Sequence, residues 1–126
     1  DEIELVGADF ASMTVAAGEN LVVQLAWTAS TTPTVDYTSF VHLLDPSGTL
    51  VAQHDKQPQA SFLPTHLWQP GAVINEEYTL LLPSNASPGQ YQLYVGMVDS
   101  SGQRLAVQQG DQSAADTVLV TEIGVK

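Results

Sequence analysis

Apolar and polar residues alternate along much of this chain. In one run, Leu21, Val23, Leu25 and Trp27 occupy every second position. Successive side chains of a β-strand point to opposite faces, so this spacing predicts a strand with one buried face and places Trp27 in the core. The same alternation and the turn signals between runs predict eight strands, at 2–10, 20–29, 36–45, 49–55, 76–83, 90–99, 103–108 and 116–125.

The segment 37–44 differs from the other strands because it is apolar on both faces. Val41 and Leu43 fall on one face, and Phe40 and Leu44 on the other. This pattern predicts a central strand that is covered on both sides. The chain as a whole is predicted to be an all-β protein, an immunoglobulin-like antiparallel β-sandwich of seven to nine strands, with one domain over residues 1–126.

Two turns with the same chemistry connect pairs of predicted strands. One runs from Asp45 through Pro46 to Gly48, and the other runs from Asp99 to Gly102. Aspartate at the first position accepts hydrogen bonds from the turn backbone, and glycine at the fourth can adopt a left-handed conformation. Both segments are therefore predicted to be tight hairpins, with structural roles for the two aspartates and the two glycines.

Tyr91 is the residue for which the sequence predicts the most specific structural contact. It follows Pro88-Gly89 at the start of a predicted strand. In immunoglobulin-like sandwiches, a tyrosine at such a corner donates a hydrogen bond to the backbone a few residues upstream. We expect the hydroxyl group of Tyr91 to make this bond.

Composition and charge exclude several functions. The 126 residues include 14 acidic and 3 basic side chains, a net charge of −11, and no cysteine. Three cations cannot neutralise a nucleic-acid backbone, and the acidic chain would be repelled by nucleic acids and anionic membranes. No apolar run approaches the roughly 20 residues that span a bilayer, so direct membrane insertion by this segment is not expected. Without cysteine, disulfides and thiolate zinc sites are excluded.

Catalytic or metal-binding chemistry has no clear signature in the sequence. His42, His54 and His66 do not share the two- or four-residue spacing of a local metal site, although His54 could lie beside a packed His42 across a hairpin. Glu76 and Glu77 are adjacent and should point to opposite faces. Loop oxygens could hold calcium, but no EF-hand or glycine–aspartate repeat favours it. We therefore expect no catalytic residue, no metal and no cofactor.

Aromatic residues in the long irregular stretch 56–71 are the candidate ligand contacts. Phe62, His66 and Trp68 lie in this stretch, and Tyr37 begins a predicted strand. Exposed rings with neighbouring glutamines could bind a saccharide, since a flat ring stacks on the apolar face of a pyranose. The alternative, which we favour, is that Trp68 folds back and closes one end of the core, as large rings usually do.

Several motifs resemble a known but uncharacterised module. The most specific are Trp68-Gln69-Pro70-Gly71 and Pro88-Gly89-Gln90-Tyr91, and the run that begins at Tyr37 also contributes. Together they resemble an immunoglobulin-like β-sandwich module of Chloroflexus-type bacteria, often found at the extracytoplasmic C-terminus of membrane proteins that resemble glycosyltransferases. A fainter similarity, carried by the Pro-Gly-x-Tyr corner, is to fibronectin type III domains and to the intracellular proteinase-inhibitor sandwiches of bacilli.

The resemblance implies a non-catalytic, extracytoplasmic accessory or interaction domain of a larger membrane-anchored, glycan-related protein. The partner would be a glycan or another protein, and the oligomeric state stays open. The sequence also allows two alternatives: a carbohydrate-binding module that uses Trp68, and an interaction domain similar to a proteinase inhibitor. An independent enzyme is not expected.

Overall fold

Two packed β-sheets make up the protein. The computed structural model describes residues 3–56, 64–110 and 115–126, and this part of the chain contains no α-helix. The strands are β1 (Ile3–Phe10), β2 (Thr14–Val15), β3 (Asn20–Ala29), β4 (Thr38–Leu44), β5 (Leu50–Lys56), β6 (Val73–Leu81), β7 (Gly89–Val98), β8 (Arg104–Leu105), β9 (Gln108–Gln109) and β10 (Val118–Val125). A 3-10 turn covers Thr65–Leu67.

One sheet has four strands and the other has six. The four-stranded sheet has the order β6-β3-β1-β9, and the six-stranded sheet has the order β2-β10-β7-β4-β5, with β8 paired to β7. The long strands pair antiparallel, whereas β9 joins β1 and β2 joins β10 in parallel. This arrangement confirms the all-β, immunoglobulin-like sandwich. The seven long strands match seven of the eight predicted ones, β8 and the start of β9 lie within the remaining one, and the two-residue strand β2 is an addition.

Two strand predictions need correction. The strand predicted at 76–83 begins earlier, at Val73, because β6 pairs with β3 along almost its whole length, from Asn20 to Thr28. The strand predicted at 103–108 divides into β8 and β9, which belong to different sheets. The chain between them crosses from the edge of one sheet to the edge of the other.

The core is formed by the alternating positions of the long strands. In β3, the four apolar residues from Leu21 to Trp27 all face inward and are buried. The corresponding positions in β6 and β7 include Tyr78 and Tyr91, which are buried as well. The alternation in the sequence therefore gives the inner faces of both sheets correctly.

A chain of hydrogen bonds crosses this core. Trp27 Nε1 donates to the hydroxyl oxygen of Tyr78 at 3.1 Å, and this oxygen lies 2.6 Å from Ser39 Oγ. Ser39 Oγ donates in turn to the carbonyl oxygen of Lys56, at 3.2 Å. Since the single hydroxyl proton of Ser39 is used there, the hydroxyl of Tyr78 donates to Ser39. Every polar atom of this buried chain thus has a partner, and the chain links β3 and β6 of one sheet to β4 and β5 of the other.

Polar contacts also join the two sheets where the edge strands β5 and β6 approach each other. Lys56 Nζ lies 3.1 Å from the carboxylate of Glu76 and donates to the carbonyl oxygen of Glu77. Glu76 points inward and is 4% exposed, whereas Glu77 faces solvent, as their adjacent positions predict. His54 Nδ1 accepts the backbone N–H of Thr79 at 3.0 Å. The two edges are therefore held together by ion-pair and backbone contacts.

The two hairpin turns have equivalent geometry. Asp45 Oδ1 accepts the backbone N–H groups of Ser47 and Thr49, and Gly48 has a φ of +87°. Asp99 Oδ1 accepts two backbone N–H groups in the same way, and Gly102 has a φ of +86°. Hydrogen bonds from the serine two residues on lower the pKa of each aspartate, because they stabilise the ionised carboxylate.

Tyr91 forms a tyrosine corner. Its ring is buried, and its hydroxyl donates to the backbone carbonyl oxygen of Ser87 at 2.7 Å. The bond spans the turn before β7, so it ties the start of that strand to the loop that leads into it.

Candidate ligand-binding face

The loop aromatics do not form the sugar platform that the sequence suggested as one alternative. Trp68 is 1% exposed and belongs to the main hydrophobic core, so its ring has no free face for a sugar. Its carbonyl oxygen accepts a hydrogen bond from Thr32 Oγ1 at 2.7 Å, which anchors the loop. The alternative in which Trp68 stacks against a ligand is therefore wrong. The ring closes the core instead. Phe62 lies outside the described residues.

Tyr37 and His66 lie near each other, but their contacts stabilise the loop. Tyr37 is buried, and its backbone N–H donates to Thr65 Oγ1 at 3.0 Å. His66 is exposed, and its Nδ1 lies 2.6 Å from Asp36 Oδ1, which also accepts the backbone N–H of His66. The hydrogen bond from the His66 side chain lowers the pKa of Asp36. These contacts fix the 3-10 turn against the chain before β4 and leave Tyr37 without an exposed ring.

A different surface carries the accessible aromatic residues: the outer side of the six-stranded sheet. Its strand register places four side chains in one row across β5, β4, β7 and β10. His42 pairs with Gln53 on one side and with Tyr94 on the other, and Tyr94 pairs with Leu119. His42 and Tyr94 are half-buried, whereas Gln53 and Leu119 are exposed. Two rings therefore lie side by side between an amide and an aliphatic side chain.

The neighbouring row is built around Phe40. This residue pairs with Asp55 of β5 and with Gly96 of β7. Its ring lies so close to Gly96 that a Cβ there would clash with it. Arg104 of β8 lies over the ring, with its guanidinium carbon 4.8 Å from the ring centroid. The absence of a side chain at position 96 thus allows Phe40 to lie flat on the sheet, and Arg104 covers it.

The covering of Phe40 corrects the prediction for segment 37–44. No second layer of strands lies over the outer side of β4 in the described structure, because this side belongs to the surface of the sandwich. Phe40 is nevertheless buried, since one arginine side chain and the neighbouring strand are enough to cover it. The rest of the outer side stays accessible. We call the surface formed by these residues the aromatic face: Phe40, His42, Gln53, Tyr94, Arg104 and Leu119.

The charges of the aromatic face are set mainly by His42 and its neighbours. The His42 ring packs against Phe40 with centroids 4.6 Å apart, and its Nε2 lies 3.7 Å from Asp55 Oδ1. Burial lowers the pKa of His42, Asp55 opposes this shift, and Arg104 adds to it. The imidazole is therefore neutral at pH 7 and offers one donor and one acceptor nitrogen.

An open depression of about 340 Å³ lies at the centre of this face. It is lined by His42, Leu44, Tyr94, Arg104 and Thr117. The lining combines rings, an aliphatic side chain, a hydroxyl group and a cation, and so offers both apolar contact and several hydrogen-bonding groups. Such a lining could contact both the apolar and the polar parts of a ligand.

The sequence pattern indicates only part of the aromatic face. It places Phe40, His42 and Leu44 on the same side of a strand, but it predicts that this side is covered. The sequence left open whether His54 lies beside His42, but the register pairs His54 with Val41, so it points to the opposite side of the sheet. Arg104 had no pattern of its own, because its place depends on the hairpin that returns β8 along β7.

A second depression lies on the outer side of the four-stranded sheet. It has a volume of about 300 Å³, with Gly7 and Ala26 at its centre and polar side chains from Asp9, Gln24 and Glu77 around it. Gln24 Nε2 donates to Glu77 Oε1 at 3.2 Å, so part of its polar lining is already paired. No aromatic ring lines it. The aromatic face, which combines rings with hydrogen-bonding groups and a cation, is therefore the better candidate for a ligand-binding site.

Metal and membrane sites find no support in the described structure. Within residues 3–56, 64–110 and 115–126, no group of three or more His, Asp or Glu side chains could hold a metal ion. The same part of the chain has no helix that is long and apolar enough to cross a membrane. The proteinase-inhibitor alternative depends on the stretch 56–71, of which residues 57–63 lie outside the described part.

No family model matches the chain, and no curated protein matches it. Solved structures do share its fold. A Niemann-Pick type C2 protein from the Japanese carpenter ant superposes with a TM-score of 0.61 at 6% identity, covering 100% of this chain and 94% of that one. The C-terminal domain of Wzt superposes with a TM-score of 0.56 at 12% identity, covering 94% of this chain and 69% of that one.

Part of a much larger enzyme also has this fold. The β-glucosidase from Listeria innocua superposes with a TM-score of 0.55 at 17% identity, covering 98% of this chain but only 16% of the enzyme. At such low identities, these similarities establish an immunoglobulin-like β-sandwich and nothing about activity. They also show that the same architecture occurs both as nearly a whole chain and as a small part of a larger protein.

Proposed function

We propose that this chain is a non-catalytic binding domain that serves as an accessory part of a larger, extracytoplasmic, glycan-related protein. Its ligand would be a saccharide, bound on the aromatic face. The observation that carries this proposal is the cross-strand pair of His42 and Tyr94, two neighbouring rings on an open sheet surface.

The chemistry of the aromatic face suits a saccharide. A pyranose has apolar C–H faces, which pack on flat rings, and hydroxyl groups, which need donors and acceptors. His42 and Tyr94 supply the rings, while the amides of Gln53 and Gln92 and the hydroxyl of Thr117 lie around them. Amide and hydroxyl groups can both donate and accept, so they match hydroxyl groups in many orientations. A flat, mixed surface of this kind favours a sugar over a wholly apolar ligand.

The wider context is supported by two observations of different kinds. The motifs around Trp68 and Tyr91 resemble a module attached to glycosyltransferase-like membrane proteins, and the β-glucosidase shows that this fold can form a small part of a glycan-active enzyme. A coding sequence that continues from this domain into membrane-spanning helices would support the accessory role. A coding sequence that ends with this one domain would contradict it.

Binding to a panel of immobilised oligosaccharides tests the saccharide proposal. We expect the Tyr94→Ala variant to weaken binding about tenfold or more, since burial of an aromatic ring contributes about 1.5–3 kcal/mol. Tyr94→Phe should retain most of the affinity because it keeps the ring. The matched control is Leu81→Ala, at a residue that is 65% exposed on the other sheet. Equal binding by Tyr94→Ala and wild type, with unchanged stability, would contradict the proposal.

A further inference from the structure

Arg104 has an unusual electrostatic setting in this acidic protein. It is the single arginine among 3 basic residues, against 14 acidic ones. The ion pairs formed among the described residues involve Lys56, His42 and His66, and none of them involves Arg104. An exposed guanidinium that pairs with no carboxylate of residues 3–56, 64–110 and 115–126 is unexpected where carboxylates are so abundant. Its charge is therefore available to a ligand.

The guanidinium is also held in place. Arg104 lies over the Phe40 ring, which also packs closely against Gly96. A cation placed over an aromatic ring is attracted by the negative charge density of the ring face. This contact leaves the N–H groups at the edge of the guanidinium free to donate hydrogen bonds. Arg104 thus borders the depression as a positioned cation next to His42 and Tyr94.

We propose that the saccharide bound on the aromatic face carries a carboxylate group, as a uronic acid does, and that Arg104 binds this carboxylate. The inference rests on the proposed saccharide function and adds the charge of the ligand to it. A guanidinium matches a carboxylate through two parallel N–H···O hydrogen bonds, a geometry that a lysine does not reproduce.

The negative charge of the whole protein limits how many carboxylates the ligand can carry. The net charge is −11, and the one guanidinium of the aromatic face has the carboxylate of Asp55 nearby, next to Phe40 and His42. A polyanion would gain one favourable contact and would meet repulsion from the rest of the surface. The structure therefore favours an oligosaccharide with a single, isolated carboxylate over a densely charged polysaccharide.

Matched pairs of oligosaccharides test the inference. Each pair contains an acidic oligosaccharide and the same molecule with its carboxylate reduced to a primary alcohol; glucuronate-substituted xylotetraose and sialyllactose are suitable probes. We expect the acidic member to bind about tenfold or more tightly than the reduced member, as charge-assisted hydrogen bonds contribute about 1.5–3 kcal/mol. Arg104→Gln should abolish this preference, and Arg104→Lys should retain only part of it.

Lys126→Gln is the charge-matched control, since Lys126 is an exposed cation outside the aromatic face. It removes one positive charge and should leave the preference unchanged. Urea unfolding of each variant shows whether loss of the Arg104 contact with Phe40 has disturbed the fold, and Arg104→Lys keeps an aliphatic stem over the ring if Arg104→Gln does disturb it.

The outcomes separate this inference from the proposed function. Equal binding of acidic and reduced members, both lost in Tyr94→Ala, would overturn the role of Arg104 and leave the saccharide function standing. A preference for the acid that survives in Arg104→Gln would also overturn the role of Arg104. Binding of neither member of any pair would overturn both proposals for these sugars.

Discussion

The buried hydrogen-bond chain through Tyr78 permits a sharp test of how the core is stabilised. Tyr78→Phe removes one hydroxyl oxygen and leaves the ring, so the apolar packing is kept. The oxygen accepts the indole N–H of Trp27 at 3.1 Å and lies 2.6 Å from Ser39 Oγ. Without it, the fully buried indole N–H has lost its acceptor, whereas Ser39 keeps its bond to the Lys56 carbonyl oxygen.

An unsatisfied buried donor costs about 1–3 kcal/mol. The free energy of unfolding of Tyr78→Phe should therefore be lower than that of the wild type by this amount. Urea unfolding at pH 7, followed by tryptophan fluorescence, measures the difference. Tyr94→Phe is the matched control, because the Tyr94 hydroxyl is half-buried and 3.3 Å from Gln92 Oε1, and it should change stability by less than about 0.5 kcal/mol.

Alkaline pH provides a second measurement on the same group. Burial raises the pKa of Tyr78 to about 12, above the usual value of 10.0 for a phenol in water. In the unfolded chain the phenol ionises near pH 10, while in the folded protein it stays protonated. Stability contributed by the protonated Tyr78 is thus present below pH 10 and is lost as the pH rises towards 12. The wild type should lose stability over this range relative to Tyr78→Phe.

Two results would refute this reasoning. One is a Tyr78→Phe variant within about 0.5 kcal/mol of the wild type at pH 7, the usual range for surface substitutions. The other is a constant difference between the two proteins from pH 9 to pH 12. Either result would mean that the hydroxyl group is solvated rather than held in the core.

Three further predictions follow from single contacts. Tyr91→Phe loses the 2.7 Å bond to the Ser87 carbonyl oxygen and should lower the free energy of unfolding by about 1 kcal/mol, measurable in urea; unchanged stability would contradict the tyrosine corner. Gly96→Ala forces a methyl group into the Phe40 ring and should cost about 1–3 kcal/mol, whereas Gly96→Ala in a Phe40→Leu background should cost less. Burial lowers the pKa of His42 below 6.5, so between the pKa values of the folded and unfolded states the unfolded state binds more protons. The free energy of unfolding should therefore fall as the pH drops below 6.5. His42→Gln should flatten this part of a profile of thermal stability against pH, and an unchanged profile would refute the pKa shift.

The features of this fold that were predicted correctly depend on residues close to one another in the sequence. Strand alternation placed Trp27 in the core, because period two assigns a face to every residue of a strand. Turn chemistry placed Asp45 and Asp99 at hairpins, because the hydrogen bonds involved span only four residues. The tyrosine corner of Tyr91 is similarly short in sequence. In each case the physical cause lies within a few residues of its effect.

The candidate site depends on contacts that are distant in sequence. Trp68 lies in an irregular loop, where no periodicity assigns a face, so the sequence alone does not decide whether its ring is buried or exposed. The outer side of β4 was expected to be covered because Phe40 is apolar, yet the cover is Arg104, 64 positions further along the chain. The pairing of Lys56 with Glu76 likewise depends on how the two sheets meet. Such partners are set by strand order, which a single sequence does not specify.

The parallel pairing of β2 with β10 has a mechanical consequence. Backbone N–H groups of Gly124 and Lys126 donate to the carbonyl oxygens of Met13 and Val15, at 2.9 and 3.0 Å. Because the two strands run in the same direction, tension that pulls the segment before β2 and the segment after β10 apart slides one strand along the other. The bonds then bear the load together and do not open one after another. Tension applied directly across these two segments would therefore be resisted by the pair as a unit.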